Sequence, residues 1–115
     1  MKNKLVYIAH QVSGDVEGNI KKILQICHDV HREDNNLLPF APYVVALQYL
    51  DDTIVEERSL GILANEEHFK RKTMDEVWLC GPRISEGMKQ EIRLAKKYKI
   101  PIKVYSEALK NNLEI

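Results

Sequence analysis

Residues 75–92, Asp75-Glu76-Val77-Trp78-Leu79-Cys80-Gly81-Pro82-Arg83-Ile84-Ser85-Glu86-Gly87-Met88-Lys89-Gln90-Glu91-Ile92, carry the pattern that decides the fold. Asp75–Gly81 reads as a strand centred on Val77, Trp78 and Leu79, because β-branched and aromatic side chains suit a pleated, buried surface. Pro82-Arg83-Ile84-Ser85 reads as a loop, since proline removes a backbone donor. From Glu86 the period changes to that of a helix, predicted over 86–98. A strand passing through a short loop into a helix is the repeating half of a parallel β-α-β unit.

The same alternation continues on either side. Leu5-Val6-Tyr7-Ile8-Ala9 is a continuous apolar run, as expected of a strand covered on both faces. Ser13-Gly14-Asp15 reads as a turn, and from Gly18 the residues Ile20, Ile23, Leu24 and Cys27 give one apolar helix face that fades at Asp34-Asn35-Asn36. Pro39 and Pro42 confine Leu37–Pro42 to an edge strand or an extended segment. Tyr43–Leu50 suits a short helix. Thr53-x-x-Glu56, with Asp51 and Asp52 beside it, reads as a capping box opening a helix from about Ile54 to Lys70 with Leu60, Leu63 and Ala64 inward. Ile100–Tyr105 is a final strand, followed by a short helix or frayed tail. The order predicts one α/β domain over residues 1–115: a single-domain doubly wound, flavodoxin- or Rossmann-like parallel sheet of four to five strands with helices on both faces.

Composition narrows the function classes. Lys+Arg and Asp+Glu each count 17 in 115 residues, so the net charge is zero. No global field attracts a nucleic acid polymer or an anionic membrane, and neither is expected as a partner. The basic lead Met1–Lys4 precedes an apolar run that ends at His10, too short to span a bilayer and without a small-residue cleavage site. A cytoplasmic chain with Cys27 and Cys80 reduced is expected. Cys27, His28 and His31 form too small a group for a structural zinc site, so no metal is expected.

In doubly wound sheets ligands bind beyond the carboxyl ends of the strands. That rule nominates His10, Gln11 and the turn after them, Ala41–Tyr43, and Gly81–Gly87. One residue breaks the helical pattern there. On a 100° wheel Met88, Ile92 and Ala95 fall within about 60° of one another and define the core stripe. Glu91 falls beside them, roughly 40–60° from the stripe centre, while Glu86, Lys89, Gln90, Arg93 and Lys97 take the far side. An unpaired buried carboxylate is costly and holds its proton more tightly. Near a helix N-terminus, at the open end of a sheet, an oriented carboxylate suits nucleophilic or acid–base chemistry. Pairing with Arg58 or Arg83 at a cleft edge would equally account for it. The pattern by itself leaves both readings open.

The fragments also resemble a known family. Leu5–Ala9, Pro39-Phe40-Ala41-Pro42-Tyr43, Gln48–Asp52, Glu57-Arg58-x-x-Gly61-Ile62, Asp75–Gly81, Ile84-Ser85-Glu86-Gly87-Met88-x-x-Glu91-Ile92 and Ile100-Pro101-Ile102 are similar to small phage and bacterial proteins related to nucleoside 2-deoxyribosyltransferases. The likeness runs from about residue 4 to 105 and is sharpest from Pro39 onward. That superfamily also holds deoxynucleoside 5′-monophosphate N-glycosidases and a cytidine monophosphate hydrolase. The resemblance implies that Glu91 attacks the anomeric carbon of a sugar and displaces the base. It implies that Tyr7 contacts the catalytic carboxylate or the sugar, and that Asp75 approaches the base or sugar. It implies a homodimer or larger homo-oligomer, and no cofactor. Transferases acting on free nucleosides carry Asp where this chain has Ser85, whereas the monophosphate glycosidases carry Ser. Ser85 with Arg83 therefore points to a phosphorylated substrate, held by backbone N–H groups around Ser85–Gly87. The chain departs from its relatives at Ala9-His10-Gln11 and at Pro42-Tyr43, where sugar and phosphate contacts are expected.

The remaining candidates are weaker. His10, Gln11 and Tyr43 lie at the expected mouth, and Asn19 suits either a helix cap or a sugar hydroxyl. Two function classes follow. One is an enzyme that cleaves or transfers at the N-glycosidic bond of a nucleoside or nucleotide. The other is a non-catalytic nucleotide-binding or sensing module, because one fold hosts many functions.

Overall fold

The structure is a computed structural model that describes residues 2–112. Met1 and residues 113–115, the end of the predicted C-terminal helix or tail, lie outside that range. Strand β1 (Lys4–Ala9) is central, and its apolar run is buried from Val6 to Ala9. Its side chains alternate between two cores. Val6 and Ile8 pack with Ile23, Val30 and Cys80 on one face. Tyr7 and Ala9 pack with Phe69, Val77, Leu79, Met88, Ile92 and Ala95 on the other. Both faces are therefore covered, which is why the run shows no polar alternation.

The elements follow in the order β1, α1 (Val16–Glu33), β2 (Leu37–Phe40), α2 (Pro42–Tyr49), α3 (Val55–Lys70), β3 (Glu76–Leu79), α4 (Glu86–Lys97), β4 (Ile102–Val104) and α5 (Glu107–Asn112). The sheet has four strands, all parallel, in the order β2-β1-β3-β4. The fold is the doubly wound α/β architecture expected of the pattern. α1 covers one face, and α3 and α4 cover the other. The chain reverses direction across the sheet between β1 and β3, so their carboxyl ends open on a topological switch point.

Pro39 sits in β2 opposite Val6, and the strand forms because it lies at the edge of the sheet. Strands β3 and β4 are shorter than predicted at both ends.

Two expectations about helix faces are corrected. In α1 the buried positions are Asn19, Ile23 and Val30, while Leu24 is 53% exposed. In α3 Leu60 and Leu63 are 56% and 63% exposed and Ala64 is exposed too, leaving Phe69 as the buried residue of that helix. Packing against the sheet, not leucine content, selects the inward face of each helix. The capping box is corrected as well. Ile54 is the N-cap without a side-chain bond, Thr53 instead donates its backbone N–H and its hydroxyl to Asp51 Oδ1, and Glu57 reaches back to the Asp51 N–H.

Gly81, two residues past the end of β3, has φ +87°, and a Cβ there would stand 3.0 Å from the His10 ring. Both the backbone conformation and the ring oppose any side chain. Gly81→Ala is expected to lower stability by about 2 kcal/mol, read from the urea midpoint at unchanged slope. A variant as stable as the parent would mean that this turn is not held as described.

Candidate functional site

The site forms where β1 meets α4. Tyr7 faces the α4 side because of the two-residue period of β1, and its side chain is wholly buried. Its ring is walled by Phe40, Tyr43 and Phe69, with centroids 6.3, 5.7 and 5.0 Å away. Its hydroxyl donates to Glu91 Oε2 in a short buried hydrogen bond and accepts from Asn65 Nδ2 at 2.8 Å. Glu91 is 9% exposed and lies among the inward residues Met88, Ile92, Leu94 and Ala95 of α4. The inward placement read from the wheel is thus the observed one. Glu91 takes a tyrosine as its partner, and no ion pair with Arg58 or Arg83 forms among the described residues.

The start of α4 sets the height of Glu91. Ser85 is the N-cap, and its Oγ accepts from the Met88 N–H at 3.2 Å. Gly87 occupies the first turn, a poor position for glycine on propensity alone. A Cβ there would meet only Ser85 Oγ, at 3.9 Å. The protein itself has room for a side chain, and the missing one keeps the backbone open to the cleft.

That cleft has a volume of about 560 Å³, within the range of small-molecule sites. Its floor is Glu91 and Asn65, and Tyr43 and Leu47 of α2, Arg58 of α3 and Ile84 are among its walls. Burial raises the Glu91 pKa to about 7, against the opposing pull of the bonds from Tyr7 and Asn65. The Tyr7 hydroxyl is raised well above its usual value by burial first and then by the Glu91 charge. Tyr43 is raised for the same two reasons. Near neutral pH the site therefore holds a carboxyl group poised between its two forms, beside a phenol that keeps its proton.

Glu91, Ser85, Gly87, Arg83, His10 and Tyr43 line this cleft, and Tyr7 joins them through its bond to Glu91. His10 is 5% exposed, with Nδ1 2.7 Å from the Gln11 carbonyl. Tyr43 donates its hydroxyl to the Ile8 carbonyl. Gln11 stands behind Arg83, accepting from its Nε at 2.8 Å. Two predicted residues lie elsewhere. Asp75 is exposed at the amino end of β3, where its carboxylate accepts from the Leu5 N–H at 2.8 Å, so it meets neither Glu91 nor the cleft. Asn19 is buried against the Val12 carbonyl, which it holds at 2.9 Å, and ties α1 to the loop after β1.

Asn65 escaped the sequence reading. Its signal was its place four residues before Phe69 on one helix face, the spacing that made Glu91 visible in α4. The leucines of α3 drew the stripe to the wrong side. Among the described residues no group of three His, Cys, Asp or Glu side chains could hold a metal ion, and no helix is long and apolar enough to cross a membrane.

The chain belongs to the family described as "Domain of unknown function (DUF7768)", whose model matches residues 4–105. No curated protein matches it. Among solved structures it is similar to the crystal structure of a conserved protein from Enterococcus faecalis V583, with a TM-score of 0.61 and 17% sequence identity over 92% of this chain. The chain spans 65% of the length of that protein. At this identity the likeness shows the shared fold.

Burial of Glu91 makes stability depend on pH. The folded chain keeps the proton up to about pH 7, whereas an exposed glutamate releases it near 4.5. The folded pKa is raised, so this contribution is full below pH 4.5 and is lost as pH rises through 7. The stability of the parent protein minus that of Glu91→Gln should fall by roughly 3 kcal/mol at most across that window, measured by urea denaturation. A flat difference would place the carboxyl in water.

Proposed function

We propose that this domain cleaves or transfers at the N-glycosidic bond of a nucleoside or nucleoside monophosphate, with Glu91 as nucleophile. The observation that carries the reading is the buried Glu91, which lines a cleft of nucleoside size and accepts a hydrogen bond from the wholly buried Tyr7. Tyr7 engages Oε2, which leaves Oε1 to meet the anomeric carbon. As the O–C bond forms, the C–N bond breaks and its electron pair leaves on the base. Water then cleaves the glycosyl ester, releasing the sugar and restoring the carboxylate; an incoming base instead gives transfer. None of these steps calls for a metal or an organic cofactor. The family resemblance at Ser85-x-Gly87-x-x-x-Glu91 and at Tyr7 supports the same roles.

The phosphate preference rests on a small part of the cleft. Asp52, Glu57, Glu66 and Glu86 also line it, so its overall charge does not favour an anion. A phosphate would have to sit on the capped start of α4, between Gly87 and Arg83. His10 and Tyr43 border the remaining space, where the base and sugar would lie.

The test is a panel of ribo- and deoxyribonucleosides and their monophosphates, with free base followed by chromatography. Base release is expected from the parent and absent in Glu91→Gln, with ligand binding retained. The nucleophile must be ionised, so kcat/KM should rise with pH through about 7. Binding without base release in either protein would replace this reading by a binding or sensing module.

The homo-oligomer implied by the resemblance would use the apolar side chains that α2 and α3 leave in solvent. Val45, Tyr49, Val55 and Leu63 are 66%, 70%, 74% and 63% exposed. Sedimentation should give a species of at least twice the chain mass, and Leu63→Glu with Tyr49→Glu should reduce it to the single chain. A parent that sediments at the chain mass at high concentration would remove this part of the proposal.

A further inference from the structure

One half-buried side chain beside the reacting pair that the reaction above does not use is Asn65. Its Nδ2 donates to the Tyr7 hydroxyl at 2.8 Å, and its Oδ1 is buried without a hydrogen-bond partner. A buried carbonyl left unpaired is costly, and an apolar side chain of similar size would avoid that cost. Something at this position must favour the amide over its apolar equivalent.

A phenol hydroxyl has one proton and can accept as well as donate. When Asn65 presents its NH2 group, the Tyr7 oxygen accepts and its proton is directed to Glu91. With the amide reversed, Oδ1 would compete for that proton, and an ionised Glu91 would face a lone pair. Only this orientation lets Asn65 donate to Tyr7 while Tyr7 donates to an ionised Glu91. Leaving Oδ1 orphaned is the consequence of that orientation.

We infer that Asn65 is a positioning residue, which acts through Tyr7 to hold the hydroxyl proton on Glu91 Oε2 and so leaves Oε1 free for the ligand. The inference rests on the reading of Glu91 as the reacting carboxylate. The titratable groups packed around Glu91 are Tyr7 from β1 and Tyr43 from α2. The other titratable or charged side chains that line the same cleft are His10, Asp52, Glu57, Arg58, Glu66, Arg83 and Glu86. Asn65 is neutral, so removing it changes the direction of a proton and not the charge of the cleft.

The test follows the Glu91 carboxyl carbon by NMR in protein labelled at the glutamate side chains, with Glu91→Gln identifying the resonance. In Asn65→Leu the titration midpoint is expected to rise by about one pH unit. The thermal midpoint should stay level or rise, because an orphaned carbonyl is removed. Tyr7→Phe should also raise the Glu91 midpoint, and adding Asn65→Leu to it should raise it by less than Asn65→Leu does alone, since the amide then has no hydroxyl to direct and keeps only its own weaker pull on the carboxyl. In turnover, kcat of Asn65→Leu should fall by about tenfold with KM little changed. Asn65→Ala serves if the leucine does not fit. An unshifted midpoint in either folded variant, or additive effects in the double variant, would overturn the inference. The titration needs no substrate. A shifted midpoint beside a parent that releases no base would therefore retain Asn65 as the residue that positions the pair and remove Glu91 as nucleophile.

Discussion

One buried hydrogen bond, from Tyr7 to Glu91, joins the central strand to the helix that follows the third, across 84 residues of chain. Neither end of it is free to move. Tyr7 faces α4 only because β1 holds its register with β2 and β3, and a slip of one residue would turn it to the α1 side. Glu91 meets it only because Ser85 starts α4 where it does. The bond also keeps a carboxyl group tolerable among aromatic and aliphatic side chains, where an unpaired charge would be far more costly. Sheet register, helix start and site geometry are therefore one constraint.

The two ends of the sheet show how environment divides the work between carboxylates. At the amino end Glu76 is also largely buried, but Lys4 at 2.9 Å, Lys103 at 3.3 Å and the Trp78 indole surround it. Burial works against its charge, yet those partners hold its pKa below the usual range. Glu76 is fixed as an anion that pins β1, β3 and β4 together. Glu91 lacks a cation and is pushed the other way, to about 7. The same residue type thus serves as a clamp at one end and as a titrating group at the other, and only the second opens on a cleft.

The topology was readable because β1 and β3 are apolar runs separated by helical periods, and parallel crossovers leave few alternatives. Glu91 was readable because α4 has a sharp stripe against which a charge stands out. The stripe of α3 was not. Its leucines face solvent while Asn65 and Phe69 turn toward Tyr7, so the apolar residues Leu60, Leu63 and Ala64 pointed away from the core and concealed Asn65. Asp75 shows the opposite failure. Its place before a strand suggested a site role, but a parallel strand enters the sheet at the end away from the ligand, and the carboxylate closes the edge of β1 instead. The pairing of Tyr7 with Glu91 needed the tertiary structure, since no local pattern links positions on two elements so far apart in the chain.

Three positions at the cleft carry choices that stability alone disfavours. Glu91 is a carboxyl group among apolar neighbours, Asn65 keeps an orphaned carbonyl, and Gly87 weakens the first turn of a helix with space for a side chain. Any one of them could be an accident of packing. They come from two helices and share no contact that would make one the cause of the others, apart from the Tyr7 link between Asn65 and Glu91. Proteins break local rules mainly where function requires it. That these breaches gather on the walls of one cavity argues that the cavity is a site, on physical grounds that do not depend on family resemblance.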